Sequence, residues 1–573
     1  MILKEVENLE FFEFCPCKNG ALAELDSTPR FTYAPYTTVC REFQLFFEEY
    51  TFQRLMITQD DLPYLAHLVQ ARPARRTIIK EIRFQVRLPM YDCLRCTEPE
   101  SVEEAKAHNI LFTNAVWDLM DILSRWRGEE FRRSLHPQAG LHLVLGAYSV
   151  SDGHHLCKVL HLRLHKPHQG ICFGRRGPVS QQPEIKRDAE FNMKHYWDKD
   201  GKQVSSPSPN EMRRAYGHPD GLSFDWTATS ACRMHKRLPK VSVVRQLTIS
   251  REYYRHISVP KALQPLISKC LTQLEVFCYE GWRGIKTEGL NGRVIRDDQH
   301  LQLLNSLKST GRPSLKHFSM IESFNWHYHR NTGSRPCPNL GRALARASRN
   351  LEQVRAAFNV DARDFFHDFW PVDGTRRAPE APKAVRWNNL RKLSLTSTDL
   401  SSHRASRTNG KTSLHEDVLL VAACAAKRMP NLEILELWNA TGEGSPACVF
   451  RYAHVRGRDG LSRVSLKLQT TWGVTAPDWK VVRRWQEVVD FHGIRAKVRV
   501  NNDPSNHLAS WAYQLPCYLL VHQLHDINKM DERRYLLTKG SYFGLRRKGF
   551  WYPRTAGTEF QVDRRPENED YPW

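Results

Sequence analysis

Apolar residues recur at helical spacing in the first half of residues 413–440 and at strand spacing in the second half. The helical positions share one face of a 3.6-residue period and are Leu414, Val418, Val421, Ala422, Ala425 and Met429. Ser413 and Glu416 have the spacing of a capping box, and Pro430 cannot continue a helix, so both helix ends are predicted. Leu435 and Leu437 then alternate with polar neighbours, as in a strand with one buried face. The predicted unit is helix, turn, strand.

This unit recurs along the chain. Six further segments carry a similar apolar core, and their first positions are Val244, Leu274, Leu315, Leu351, Leu390 and Leu461. Together with Leu432, successive first positions are separated by 30, 41, 36, 39, 42 and 29 residues. Leucine-rich repeats usually take about 20–29 residues, so most of these units would carry longer helices or insertions. The pattern predicts an α/β fold, an irregular leucine-rich-repeat-like solenoid with parallel strands on its concave side. The alternative is an ordinary α/β domain of alternating strands and helices.

Weaker patterns precede the repeats. Ile82, Phe84 and Val86 alternate as in a first repeat strand, residues 109–126 have helical spacing, and residues 141–148 have the pattern of a strand. Residues 174–220 are rich in charge and in Gly, Pro and Ser, as in a long and partly disordered insertion. The predicted divisions are 1–60, partial helices with an atypical insertion; 61–173, first repeats and connecting helices; 174–237, insertion; 238–500, the repeat array; and 501–573, a cap and tail.

Composition narrows the class of protein. No apolar run approaches the roughly 20 residues that span a bilayer, and acids near the N-terminus do not fit a signal peptide, which predicts a cytoplasmic or nuclear protein without membrane contact. The 14 cysteines are scattered, so reduced thiols are expected. The net charge of +22 favours an acidic partner. The basic residues form no continuous run or stacking motif, which disfavours direct nucleic-acid binding.

Several short motifs resemble chemical sites. Cys93 and Cys96 have the spacing of a zinc hairpin, and histidines from His154 to His168 follow, but a second Cys pair at structural spacing is absent. Gly442 and Gly444 follow a strand as in a dinucleotide site, yet the next residues read as another strand. His327 and His329 fit the rim of a sheet as well as a site. Common hydrolase, metalloprotease and P-loop motifs are absent. The sequence therefore predicts no enzymatic activity and no metal or cofactor.

One resemblance to a known family begins at residue 34. Val39-Cys40-Arg41-Glu42-Phe43 precedes a segment in which Phe52, Leu55 and Ile57 have the spacing F-x-x-L-x-I, and this order resembles an F-box. The similarity continues through LPKVSVVRQLTI, YEGWRG, FNWHYH, WNNLRKLSLTSTDL and MPNLEILELWNA. From residue 34 to about residue 500 the chain resembles a fungal family of F-box-like proteins of unknown function. It departs from the F-box pattern near Met1, where the usual Leu-Pro-x-Glu-type opening is missing, and over residues 9–32.

The resemblance implies a function and a set of contacts. F-box proteins hold a Skp-type adaptor of a cullin ubiquitin ligase, so this chain is expected to recruit a protein for ubiquitination. The adaptor contacts implied by the resemblance are Ile2, Leu3, Val6, Val39 and Phe43. The alternatives are a non-catalytic interaction scaffold with a decayed F-box, or a basic protein associated with nucleic acid.

The partner surface follows from strand alternation. Residues that alternate away from the leucine positions would project from the concave side: His317, Ser319, Arg355, Lys392, Ser394, Glu436, Trp438, Arg463 and Lys467. Their basic bias predicts an acidic or phosphorylated protein partner, because Arg and Lys make charge-assisted bonds to such groups.

Overall fold

The computed structural model describes residues 40–92, 94–126, 140–155, 209–218, 220–227, 237–250, 255–281, 289–309, 314–322, 337–370, 385–400, 406–408, 411–413, 416–440, 447–457, 459–470 and 476–500. The predicted adaptor contacts Ile2, Leu3, Val6 and Val39 lie outside these residues, as do His327, His329, Gly442 and Gly444.

The protein has a mixed α/β fold built on one large, open, mostly parallel sheet. Twelve strands of the described chain form this sheet in the order β1-β2-β3-β4-β5-β6-β7-β8-β11-β12-β13-β14, and β9 and β10 form a separate hairpin. The strands are β1 (Arg54–Ile57), β2 (Glu81–Leu88), β3 (Leu141–Ser149), β4 (Val244–Ile249), β5 (Val276–Gly281), β6 (His317–Glu322), β7 (Gln353–Ala357), β8 (Lys392–Thr396), β9 (Ser406–Thr408), β10 (Lys411–Ser413), β11 (Ile434–Ala440), β12 (Ala447–Arg456), β13 (Ser462–Thr470) and β14 (Val498–Val500).

Helices connect most of the strands. They are Arg41–Thr51, Leu62–Ala71, Arg75–Ile78, Val102–Ser124, Val150–His155, Pro209–Tyr216, Gly289–Ser309, Pro338–Ala347, Ala362–Phe365, Asp417–Ala426 and Trp479–Phe491. Short 3₁₀ turns lie at Gln59–Asp61, Ser348–Asn350, His367–Phe369 and Thr398–Leu400, and wider π-type turns at Val259–Leu263 and Leu266–Cys270. None of the helices in the described part of the chain has both the length and the apolar content that a membrane span needs.

One face of the sheet packs into a continuous apolar core. Leu247, Phe277, Phe318, Val354 and Leu393 lie on this face at one level, are at most 1% exposed, and are paired in register from β4 to β8. Apolar residues of the helices join the same core. The leucine pattern therefore predicted these strands and their buried face correctly, because a period of two reports directly which side of a strand is buried.

The end of the sheet differs from the prediction. β12 is antiparallel to both β11 and β13, so the repeat expected to begin at Leu461 is part of an antiparallel arrangement. Leu461 itself lies in the turn before β13 and is 65% exposed. The connection between β12 and β13 is too short for the crossover that parallel neighbours require.

Two local predictions are corrected. Ser413 belongs to β10, and the helix expected to start there begins at Asp417, so Ser413 and Glu416 do not form a capping box. Instead the Glu416 carboxylate accepts a hydrogen bond from the backbone N–H of Asp478 at 3.0 Å. β1, which the prediction assigned to a separate unit of residues 1–60, pairs parallel with β2 and is the first strand of the large sheet.

Candidate functional site

Two rows of side chains cross the sheet on the side opposite the core. Residues paired across neighbouring strands point to the same side, and their pairing defines each row. The first row is Glu81, His142, Gln246, Val276, His317, Gln353, Lys392, Ile434, Ala453, Ser465 and Arg499. The second is Arg83, Val144, Thr248, Cys278, Ser319, Arg355, Ser394, Glu436, Arg451 and Lys467. We call these two rows the polar face.

The first half of the polar face is internally neutralised. The Nε of Arg83 donates to Glu81 at 2.7 Å, and a ring nitrogen of His142 lies 3.5 Å from the same carboxylate. The other ring nitrogen of His142 lies 2.9 Å from the hydroxyl of Thr248. The one acid and the one arginine that the two rows contain from β2 to β6 therefore lie within hydrogen-bond distance of each other on β2.

The second half of the polar face carries an excess of positive charge. From β7 to β14 the two rows contain Arg355, Lys392, Arg451, Lys467 and Arg499 against a single acid, Glu436. The Nε of Arg451 lies 3.5 Å from the Glu436 carboxylate. Burial lowers the pKa of the neighbouring His317, and the charges of Arg355, Lys316 and Lys392 lower it further against the opposing effect of Glu352.

The predicted partner-binding residues share this side of the sheet, but four of them are buried. Arg355 and Ser394 are 8% and 4% exposed, while Glu436 and Trp438 are 0% and 1% exposed. Strand alternation predicts the side of the sheet and carries no information about what covers that side, so their assignment as accessible contacts is corrected. The indole N–H of Trp438 donates to the Ser394 hydroxyl at 3.3 Å. The Trp438 ring packs edge-on against the ring of Phe358, with 5.3 Å between the ring centroids.

The other five predicted contacts are half-buried or exposed, although the hydroxyl oxygen of Ser319 is itself buried. His317, Ser319, Lys392 and Lys467 are half-buried, and Arg463 is exposed. Arg463 also pairs with Asp459 at 3.0 Å in the adjoining turn. Phe43, in the helix Arg41–Thr51, is half-buried and contacts the ring of Phe47 at 5.6 Å, so it contributes to internal packing as well as to the surface.

A second polar site lies at the carboxyl ends of β2, β3 and β4. We call Tyr91, Glu100, His108, Asp152 and Arg255 the edge cluster. Tyr91 and Asp152 follow β2 and β3 by three residues, and Arg255 follows β4, so parallel pairing brings them to one edge of the sheet. His108 comes from the helix Val102–Ser124.

The edge cluster is a closed network of opposite charges. Arg255 donates to Glu100 at 2.9 Å and lies 3.8 Å from Asp152, while Tyr91 donates to Asp152 at 2.9 Å. A ring nitrogen of His108 and the backbone N–H of His218 both bond to Glu100. The side chains of Arg255, Glu100 and Asp152 are 2%, 4% and 1% exposed.

Burial and compensation act oppositely on the two carboxyl groups. Burial opposes ionisation of Glu100, but the bond from His108 and the charge of Arg255 hold its pKa down at about 2. Burial dominates at Asp152 and raises its pKa, and burial together with the Asp152 charge raises the pKa of Tyr91. Because each charged group of this network has an opposite charge beside it, the network is suited to joining the loops at this edge.

A neighbouring histidine extends this edge. The ring of His256 lies 5.4 Å from that of Tyr216, and burial together with the charge of Arg296 lowers the pKa of His256 to about 4. Arg296 in turn lies 3.3 Å from Glu322 at the end of β6. His256 is therefore neutral at physiological pH and is sensitive to acid.

The edge cluster was missed from the sequence, since its members span residues 91–255 and form no spaced motif. The signal in the sequence was the position of Asp152, which follows the strand predicted over residues 141–148. As for the zinc motif, Cys93 and the side chains of His154 and His155 lie outside the described residues. No group of three His, Cys, Asp or Glu side chains with the geometry of a metal site occurs within those residues.

Comparison with known proteins gives one match. A family model described as "Family of unknown function (DUF6546)" matches residues 309–515, which is less than half of the chain and includes β6 to β14. Neither the proteins with curated descriptions nor the solved structures contain a match to the chain.

Proposed function

We propose that this protein is a non-catalytic recognition protein that binds an acidic or phosphorylated segment of a partner protein on the second half of the polar face. The observation that supports this is the charge of the two rows from β7 to β14, which contain five cationic side chains and one acidic side chain. Guanidinium and ammonium groups bind phosphate and carboxylate through charge-assisted hydrogen bonds. Lys392 and Lys467 are accessible cations of this half, and two further accessible residues, His317 on β6 and Arg463 on β13, lie beside it on the same side of the sheet.

The arrangement of the sheet suits this role. Neighbouring strands lie about 4.8 Å apart, so side chains of one row repeat at a spacing that a partner segment lying across the strands can follow. The strands are ordered as in the sequence. We propose that stacked units form a curved solenoid with the polar face on its concave side, because such arrays use extended concave surfaces for binding.

The proposed cellular role is that of an F-box-type adaptor. The helix Arg41–Thr51 is anchored through Glu48, which is 4% exposed and bonds to Arg75 at 2.5 Å. On the same helix Leu45 is 60% exposed, and Tyr64 of the following helix is 46% exposed. Among the residues that the structure describes, we propose Leu45, Tyr64 and Phe43 as the contacts to a Skp-type adaptor.

In this role the protein acts by proximity. It holds the partner near a ubiquitin-conjugating enzyme bound to the same ligase, which raises the effective concentration of the target lysine. No side chain of the recognition protein takes part in the bond formation.

Adaptor binding is tested by co-expressing the full chain with a Skp-type adaptor and measuring co-purification. Leu45→Asp is expected to reduce recovery of the adaptor, whereas Leu461→Asp, at a similarly exposed leucine far along the chain, is the matched control. Failure of the unsubstituted chain to retain the adaptor would favour a scaffold without ligase function.

Partner binding is tested separately with a fluorescent phosphoserine-containing acidic peptide. Reversal of charge at Lys392, Arg463 and Lys467 together should weaken binding at least tenfold. The control reverses the exposed cations Lys106, Arg237 and Lys240, which lie outside the polar face. Equal loss in both variants would show a general charge effect, and strong salt-dependent retention of RNA or DNA would favour the nucleic-acid alternative.

A further inference from the structure

The last strand of the sheet has an open side. β14 pairs in parallel with β13 through Val464↔Val498, Ser465↔Arg499 and Leu466↔Val500. In the described part of the chain no strand pairs with its other side. An edge strand presents backbone N–H and C=O groups that can pair with another extended chain.

A side-chain amide already occupies part of this edge. Gln486, in the helix Trp479–Phe491, donates from Nε2 to the carbonyl of Ala496 at 3.2 Å and accepts at Oε1 from the N–H of Val498 at 2.9 Å. A primary amide has two N–H donors and one carbonyl acceptor, and Nε2 of Gln486 also donates to Oδ1 of Asp490 at 2.8 Å. The Gln486 amide therefore occupies the Ala496 carbonyl and the Val498 N–H, two groups that one residue of an added parallel strand could bind through its own N–H and C=O.

A groove lies between the helix and this strand. Its volume is about 720 Å³, and it is lined by Gln486, Asp490, Ile494, Ala496 and Val498 together with two cationic residues. Ile494, Ala496 and Val498 are half-buried and alternate with exposed neighbours. The groove is thus continuous with the edge and has a partly apolar floor.

The rim of the groove is basic. Arg495, Lys497 and Arg499 recur at a spacing of two, and all three are exposed. Asp490 is the only acidic side chain among the described residues that line the groove. The three exposed cations therefore occupy alternate positions of β14 and of the segment that leads into it.

We propose that the outer edge of β14 binds an extended acidic peptide of a partner protein, which adds to the sheet as a further strand. The peptide backbone takes the place of the Gln486 amide, alternate apolar side chains enter the groove, and alternate carboxylates contact Arg495, Lys497 and Arg499. Strand addition of this kind obtains affinity from main-chain hydrogen bonds and specificity from alternating side chains. This site uses the end of the sheet and does not depend on the proposed adaptor role.

The test uses the full chain and a fluorescent eight-residue peptide of alternating Glu and Val. We expect saturable binding by fluorescence anisotropy, and at least a tenfold higher Kd for the double variant Arg495→Glu/Lys497→Glu. The control, Arg237→Glu/Lys240→Glu, reverses two exposed cations three positions apart in another part of the chain and should leave the Kd within twofold.

A second peptide separates strand addition from simple charge attraction. In alternating Glu and Pro the charge is unchanged, but half of the amide donors are lost and proline disfavours a paired strand. We expect this peptide to bind at least tenfold more weakly. Equal binding of the two peptides, an unchanged Kd in the double variant, or no binding by the full chain would each overturn the proposal.

Discussion

The edge cluster and the polar face are both rich in charged side chains, but they differ in how far positive charge is balanced by negative charge. In the edge cluster, Arg255 lies between Glu100 and Asp152, and all three side chains are at most 4% exposed. On the second half of the polar face, Lys392 and Lys467 are half-buried and lie among more cations than acids. Buried charge is compensated at the edge, whereas accessible charge is in excess on the face.

This difference separates a structural role from a recognition role. An uncompensated buried ion costs several kcal/mol, so a buried cluster persists only when each charge has a partner. Accessible cations cost little to hold and can retain attraction for an external anion. Substitutions in the edge cluster should therefore lower stability strongly and affect partner binding little. Substitutions of the accessible cations on the second half of the polar face should weaken binding and affect stability little.

The largest effect is expected from Arg255→Met. Removing the guanidinium leaves Glu100 and Asp152 buried without their shared cation and should lower the free energy of unfolding by about 3–5 kcal/mol. Urea unfolding measures this. The control Arg245→Met removes an arginine whose partner Glu275 is 32% exposed, and it should cost at most about 1 kcal/mol. Equal losses in the two variants would contradict the comparison.

The next effect is a pH dependence from His256. Its pKa is about 4 in the folded protein and near 6.5 when unfolded, so the unfolded state binds the proton more readily between these values. Stability should fall as the pH is lowered from 6.5 to 4, by up to about 3 kcal/mol. Urea unfolding at several pH values measures how the free energy of unfolding depends on pH, and His256→Phe should reduce this dependence. Glu100, with a pKa of about 2, contributes in a lower window, between about pH 4.5 and 2.

An intermediate effect is expected where the polar face becomes buried. Glu436 is fully buried and lies 3.5 Å from Arg451, which is 32% exposed. Glu436→Gln keeps the shape and removes the charge, so it should lower the free energy of unfolding by about 1–2 kcal/mol. Thermal and urea unfolding check this value. A loss of stability as large as that of Arg255→Met would show that the Glu436 charge contributes as much to folding as the edge cluster does.

The smallest stability effect is expected at the accessible cations. Charge reversal at Lys392 or Lys467 alone should change the free energy of unfolding by no more than about 0.5 kcal/mol. The same variants are measured by urea unfolding and by the peptide-binding assay. Large destabilisation would show that these side chains support the fold, and their role in recognition would lose its basis.

Much of the strand framework could be predicted because each strand reports its own burial. Phe318 and Met320, or Leu393 and Leu395, alternate with polar residues, and the structure buries these apolar residues. The predicted side of the polar residues is also correct. The repeat pattern did not predict that β12 runs antiparallel to its neighbours, because parallel and antiparallel strands show a similar alternation of apolar and polar residues.

The sequence by itself determined the α/β class, the main strands and which side of each strand packs into the core, since these depend on neighbours one to four positions away. Tertiary structure alone decided that Glu436 and Trp438 are buried, that Gln486 binds the edge of β14, and that Arg255 meets Glu100 and Asp152. Residues 100 and 255 are brought together by parallel pairing across three strands, and the charge balance of their site exists only once that pairing has formed. Local periodicity therefore encodes the framework, and the sheet topology assembles the sites.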